Sequence, residues 1–511
     1  MIALSILVTY LGFLIGLGWF ARRSFTGTAA DYFVASHSIG PFLMLMSVFG
    51  TTMTAFALVG STGEAYRTGI GVYGKMASWS GLVHSAVFFL VGIRVWALGR
   101  RHGYMTQCEF LRDRFQSNAL GTLLFPILVL LVIPYLLIGL IGAGSVVRSL
   151  TVGALPTLFP GTQGGIPPYL GSGVVAVVVL SYVFFGGLRG ATWANAFQTC
   201  VFMISGVVAF VVIAIKLGGP SAASQNALNS NPEKLIRGAA IPHLQFFTYL
   251  FVPLSVGMFP HLFQHWLTAR DARAFRATVI WHPICIMVVW VPCVLIGIWA
   301  TSATLDGALV VPANHPPNSE LAIMVSKLTH PALAGFLGAG ILAAIMSSLD
   351  SQFFCLGTMF TNDVVVYIYG KDRFDDSQKI KMARCFIVIV VCLTYGLTLL
   401  EPRRIFTLGV WCFSGFASLF PLIFAALYWR RATRAGAIAS VLAAVSSWAV
   451  LFARANYGLT PDFLVMDMMP VTWMILASSA TMFVVSLASL PLPPNHVDRF
   501  FIPEPGQGAT S

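Results

Sequence analysis

The chain has 511 residues, of which 57% are hydrophobic and only 9% charged, against about 25% charged in a soluble domain. Apolar runs recur from end to end, each near the ~20 residues that cross about 30 Å of hydrocarbon, so the sequence reads as a polytopic membrane protein without a large soluble domain. The net charge of +12 fits basic loops on the cytoplasmic side rather than a nucleic-acid face. The eight cysteines form no CxxC pair, so neither a disulfide framework nor a zinc site is expected.

Thirteen helices are predicted in chain order, near 2–20, 40–66, 76–98, 120–147, 169–187, 192–216, 240–267, 277–301, 331–368, 383–400, 405–428, 435–453 and 469–491. The first lacks the basic start and small-residue cleavage site of a signal peptide, and Arg22 and Arg23 follow it. It therefore reads as a membrane helix with its N-terminus outside. That orientation puts 20 of the 30 lysines and arginines on the inner side, as the positive-inside rule requires. An odd number of spans then leaves the C-terminus, with a tail over 492–511, in the cytoplasm.

Two helices carry breaks in mid-span. The second contains Phe49-Gly50-Thr51-Thr52-Met53-Thr54, and the seventh contains Pro253, Ser255, Gly257 and Pro260. They lie five helices apart and so cross in opposite directions, the pattern of inverted repeats whose first helices unwind around a central site. The expected organisation is an extra helix and loop (1–39), a first repeat (40–217), a second repeat (238–428) and two further helices (435–491).

The ninth helix runs Gly338-Ala339-Gly340-Ile341-Leu342-Ala343-Ala344-Ile345-Met346-Ser347-Ser348-Leu349-Asp350-Ser351-Gln352. Small residues let helices approach closely, and polar groups at this depth must face a partner or a cavity. Ser347 and Ser348 are hard oxygen ligands. With the carbonyls of Gly50, Met53 and Ala344 they would hold a small cation; the competing use of such hydroxyls is a bond back to the i−4 carbonyl. Thr52, Thr54, Tyr135, Ser255 and Ser351 are expected to face a central solute cavity. No lysine or arginine is placed there by the sequence, so a carboxylate would rely on amide N–H groups of the broken helices. A sugar would want more Asn, Gln and Glu. The leaning is towards a small monocarboxylate, amino acid or vitamin-like acid. Asp350 or Glu64 could instead serve a proton relay. His261 and His265 have i, i+4 spacing, but no third ligand suggests a metal site. No phosphate-binding loop or catalytic constellation is present, which excludes ATP-driven transport and an enzyme.

Four segments carry a resemblance. The ninth helix resembles the signature run of the sodium/solute symporter family. So do Gly186-Gly187-Leu188-Arg189-Gly190-Ala191-Thr192-Trp193-Ala194-Asn195-Ala196-Phe197-Gln198, Gly257-Met258-Phe259-Pro260-His261, and the stretch from Phe413-Ser414-Gly415 to Tyr428-Trp429-Arg430-Arg431. The resemblance implies an all-α, leucine-transporter (LeuT) type fold with a 5+5 inverted-repeat core, one helix before it and two after. It implies sodium between the broken first core helix and the eighth, with Gly50, Met53, Ala344, Ser347 and Ser348 as ligands. Tyr135 resembles an aromatic that contacts solute in amino-acid-carrying relatives. Asn195 stands where relatives often have an aspartate, which argues against a second sodium site and for one sodium per solute. The implied protein is a secondary active symporter of a bacterial inner membrane, with sodium as coupling ion and no cofactor. Its partners would be a small solute, sodium and the lipid bilayer, with no nucleic acid and no obligate protein partner. The alternatives are a proton-coupled carrier of the same fold, or a solute sensor acting through a separate signalling protein.

Overall fold

The computed structural model of the chain describes residues 1–21, 28–34, 38–370, 373–400, 404–460 and 462–501. Arg22, Arg23 and the tail from 502 onward lie outside the described residues. The membrane segments are α1 (Ile2–Ala21), α2 (Pro41–Thr52 with Phe56–Thr68), α3 (Tyr73–His102), α4 (Asn118–Thr151), α5 (Pro168–Phe184), α6 (Gly190–Lys216) and α7 (His243–Gly257 with Pro260–Leu267). They continue with α8 (Arg273–Trp299), α9 (Pro331–Tyr369), α10 (Asp376–Thr398), α11 (Ile405–Tyr428), α12 (Arg434–Arg454) and α13 (Pro470–Ala488). Among the described residues ten are long and apolar enough to cross a bilayer alone, the bent pairs α2 and α7 make twelve, and the shorter α5 completes the thirteen predicted.

Local chemistry sets the breaks. Proline at the first helical position starts Pro41, Pro168, Pro260, Pro331 and Pro470, where its missing N–H costs nothing. The first half of α2 ends at Met53 in extended backbone (φ −90°, ψ 99°), and Thr54 Oγ1 accepts from Phe56 N at 2.9 Å. Thr54 thereby satisfies an orphan donor of the second half, as a capping hydroxyl does. The two halves meet at 58°. In α7 a 3-10 stretch over Tyr249–Gly257 gives way to extended Phe259 before Pro260 restarts the helix, with a 54° bend. The predicted loop between the fifth and sixth helices is instead a kink. Backbone hydrogen bonding continues through Gly187, whose φ of 59° and ψ of −165° suit only glycine, and a Cβ there would press on Tyr32. α9 is as long as predicted, and its last part is a π-helical run, Phe360–Val366.

Contacts sort the connections onto two ends of the bundle. At one end Ile39 bridges to Ala269, Thr106 Oγ1 donates to Asp363 Oδ1 (2.8 Å), and Arg430 pairs with Asp498 (2.7 Å). Arg114, buried here, donates to the carbonyls of Ala426 (2.9 Å) and Trp429 (3.1 Å) at the C-terminal end of α11, the favourable place for a cation. Burial pushes its guanidinium down to about 10. At the other end Arg67 meets Asp462, Lys234 Nζ reaches Arg67 O, and Met469 N donates to Thr248 Oγ1. Thus α2 runs from the first end to the second and α7 returns, as antiparallel broken helices must.

Candidate ion and solute site

The unwound centre of α2 packs on the middle of α9. Ser347 Oγ donates to Gly50 O at 2.9 Å and to Ala344 O at 3.0 Å. All five predicted cation ligands, Gly50, Met53, Ala344, Ser347 and Ser348, are buried. Glycine at position 50 is a packing requirement, since a Cβ there would strike Thr199 Oγ1 of α6, which itself donates to Met46 O at 2.9 Å. A cation entering between the Gly50 and Ala344 carbonyls would take the place of the Ser347 hydroxyl proton and keep Ser347 Oγ as a ligand. Ser348 Oγ accepts from Gln352 Nε2 at 2.7 Å, and the Tyr135 hydroxyl is turned towards it.

The predicted solute residues divide. Tyr135 comes to Ser348, and its ring packs on Phe259 (5.2 Å between centres), Phe413 (4.9 Å) and His261 (5.5 Å). Ser255 is buried in the 3-10 stretch of α7. Thr54 Oγ1 accepts in the cap, which leaves its hydroxyl proton to donate. Thr52 Oγ1 donates to Phe49 O (2.8 Å) and lies 3.2 Å from His282 Nε2 of α8. Ser351 accepts from Asn195 Nδ2 (2.9 Å), donates to Asp350 Oδ1 (3.1 Å) and bonds His265 Nε2 (3.0 Å), whose Nδ1 meets Ser47 Oγ at 3.1 Å. Tyr182 OH completes this chain on Asp350 Oδ2 at 3.1 Å. The structure therefore joins Thr52 and Ser351 to α6, α7 and α8 and leaves Tyr135 beside Ser348. Thr199, His265 and His282 were missed as contributors. Thr199 and His282 showed in the sequence only as polar groups in apolar helices, and His265 was weighed there only for its i, i+4 spacing with His261.

A row of rings lies between this centre and the second end of the bundle. Phe56 stacks on Phe406 (5.4 Å, 13°) and meets Phe413 edge-on (4.9 Å), which in turn meets Tyr135. Beyond the row, outside the centre where no lysine or arginine was expected, stands a charge cluster. Glu64 accepts from Arg67 Nε (3.1 Å) and Nη2 (2.9 Å) and from Lys75 Nζ (3.3 Å). Arg67 also holds both oxygens of Asp462, at 2.7 and 2.8 Å. A neighbouring cavity of about 500 Å³ is lined by Glu64, Arg67, Lys234, His315, Glu320 and Arg404 among others. Held by two cations, Glu64 is poorly suited to the proton relay considered for it.

In that cavity His315 Nε2 lies 3.0 Å from Glu320 Oε1. The hydrogen bond to Glu320 raises the imidazole above its ordinary value, against the opposing effect of burial. With the folded value raised, this pair stabilises fully below about pH 6.5, and the contribution is lost as pH rises through the folded value. Thermal unfolding of His315→Gln across this range is expected to lose that part of the pH dependence. An unchanged slope would show that the pair does not titrate in the folded protein.

Comparison with known proteins gives a consistent result. The profile of the sodium:solute symporter family matches residues 32–444. A sodium/proline symporter of Staphylococcus aureus (strain NCTC 8325 / PS 47) is 26% identical over 461 residues, covering 85% of this chain and 83% of the relative. Among solved structures, a substrate-bound, outward-open Na+-coupled sialic acid symporter superposes with a TM-score of 0.75 at 18% identity, covering 96% of this chain and 98% of that one. The transporter Mhp1 of the nucleobase-cation-symport-1 family superposes at 0.55 with 13% identity, covering 92% and 97%.

Proposed function

The chain belongs to the sodium:solute symporter family, and from this premise we propose that it imports a small monocarboxylate, amino acid or vitamin-like acid by alternating access, with one sodium per solute. Its fold is the LeuT type with two broken core helices, and it is a sodium-coupled carrier rather than an enzyme. The observation that carries the site assignment is the Ser347 hydroxyl shared between the Gly50 and Ala344 carbonyls. These two oxygens on opposing helices converge where a cation would bind. The sodium ligands are Gly50, Met53, Ala344, Ser347 and Ser348, and the solute approaches Tyr135 and Thr54. The end carrying Arg67, Lys234 and Asp462 faces outside, because the opposite end holds most of the basic residues. A bacterial inner membrane suits this polarity, and the S. aureus relative named for proline supports a solute that bears a carboxylate.

Energetics follow from charge. One sodium crossing 100 mV contributes about 2.3 kcal/mol, enough for roughly 50-fold accumulation of a neutral or zwitterionic solute. A monoanion cancels that electrical drive and leaves the sodium concentration gradient.

The test is thermal unfolding of the purified protein in sodium against choline, with panels of small acids, amino acids and sugars. Stabilisation by sodium that deepens with one solute class is the expected result. A response that ignores sodium and follows pH would transfer the coupling role to a proton. The buried chain Tyr182, Asp350, Ser351, His265 and Ser47 is what favours that second reading.

A further inference from the structure

Lys75 sits near the start of α3, 2% exposed, in a wall of apolar and aromatic groups. The four charges around it balance, but their hydrogen bonds do not. Arg67 engages both oxygens of Glu64 and both of Asp462. An ammonium has three donors, and Lys75 has one hydrogen bond among the described residues, the 3.3 Å contact with Glu64 Oε1. The rings of Phe406 (4.9 Å) and Tyr249 (5.7 Å) cover part of its surface. A cavity of about 40 Å³ opens on it, lined also by Gln245, Thr407, Ser414 and Asp462, the acid whose charge Arg67 holds. Gln245 and Ser414 are buried, and their side chains make no hydrogen bond among the described residues. A buried cation with spare donors, facing a hydroxyl and an amide without partners, is costly unless something supplies acceptors. Glu64 serves Arg67 as well as Lys75, and Asp462 is engaged by Arg67, so the cavity has room for a further acceptor.

We propose that this cavity is the outer recognition site for the carboxylate of a small monocarboxylate, with Lys75 as the group that selects it and Gln245 and Ser414 completing its hydrogen bonds. The proposal deepens the symporter reading and rests on it for the identity of the solute as cargo. The adjoining cavity of about 500 Å³ supports it, because Arg67, Lys234 and Arg404 outnumber Glu64 and Glu320 there. An excess of cations at the mouth raises the local anion concentration and speeds anion arrival. The site lies outside the row of rings Phe406, Phe56 and Phe413, so it would hold the acid before the row opens towards Ser348.

The test uses thermal unfolding of the full chain in sodium, titrated with acetate, propionate, lactate, pyruvate and benzoate, and with the amide of each. At least one acid is expected to stabilise the protein while its amide, of nearly the same shape, does not. Lys75→Met is expected to need at least about tenfold more acid for the same shift, the scale of a lost charged hydrogen bond, while Lys75→Arg stays closer to the unaltered chain. The double variant Lys75→Met/Glu64→Gln separates recognition from charge balance. It removes both buried charges and is expected to remain as insensitive to the acid as the single variant. Recovery of the response in the double variant would reduce Lys75 to a counter-ion of Glu64 and overturn the proposal. Equal action of acid and amide, or no response to any of the acids, would overturn it too. The acid–amide comparison is made on the unaltered chain, so it holds even where a variant fails to fold. Sodium's own effect, read without any acid, reports on the symporter reading separately. Its absence beside a Lys75-dependent acid response would fail sodium coupling and leave the recognition site standing.

Discussion

Ser347→Ala raises the sodium concentration needed for half-maximal stabilisation by at least about tenfold, the scale of one lost ligand to a charged group. In choline the same variant unfolds close to the unaltered chain. The reasoning is local. Ser347 Oγ donates to two carbonyls, a net contribution of about 1 kcal/mol per bond. Ala344 O also lies within a continuous helix, so losing the hydroxyl there is mild. With a cation in the place of that proton, as proposed, the same oxygen would become a direct ligand in a dry pocket, where an ion–dipole contact is worth more than in water. Ser348→Ala acts in the same direction and weakens sodium dependence far more than expression. Its oxygen must first leave Gln352 Nε2, so its effect is the smaller of the two. Sodium affinity unchanged in both variants would remove the ion from this part of α9.

Glu64→Gln is the substitution with the largest expected cost to folding, about 3–5 kcal/mol, since it strands buried positive charge. Glu64 is 4% exposed and is the acid that Lys75 and Arg67 share. A glutamine keeps the shape and one acceptor but not the charge. Arg67 retains Asp462, whereas Lys75 loses its one counter-charge. Adding Lys75→Met recovers most of the loss, because removing both members of a buried pair costs far less than removing one. Thermal unfolding of the two single variants and the double variant measures this coupling directly. Additive losses would show that Lys75 and Glu64 do not interact in the folded state.

Much of the architecture was legible because the bilayer imposes a strong rule: spanning segments must be long, apolar and internally hydrogen-bonded. Thirteen segments and both breaks follow from it. The breaks could be placed because Gly50, Thr54, Pro253 and Pro260 have local reasons to interrupt a helix. The Ser347–Gly50 contact was legible through adjacent hydroxyls on a helix otherwise made of small and apolar residues. What the sequence hid were the partners in space. Lys75 looks like a residue at a helix end, and nothing nearby in the chain announces that Tyr249, Phe406 and Ser414 will enclose it. Thr52 and Ser351 offer the same hydroxyl as Thr54, and only the approach of His282, His265 and Asn195 decides that their oxygens point elsewhere. The kink at Gly187 was read as a loop because glycine marks both, and the two differ only in whether hydrogen bonding continues past it.

The row of rings also bears on how tightly the membrane stays sealed. Phe56 comes from the first broken helix, Tyr135 from α4, and Phe406 and Phe413 from α11, so the seam is assembled from both halves of the ten-helix core. No single side chain can swing aside to open it, because each ring is clamped by one from the other half. Opening the seal would therefore require one half to move against the other. A substitution that thins a ring, such as Phe56→Ala, is expected to let solute or ions slip across without the partner they are meant to travel with, even with Gly50, Ser347 and Ser348 unaltered. Slippage of that kind, rather than slow turnover, is the failure to which this arrangement is most exposed.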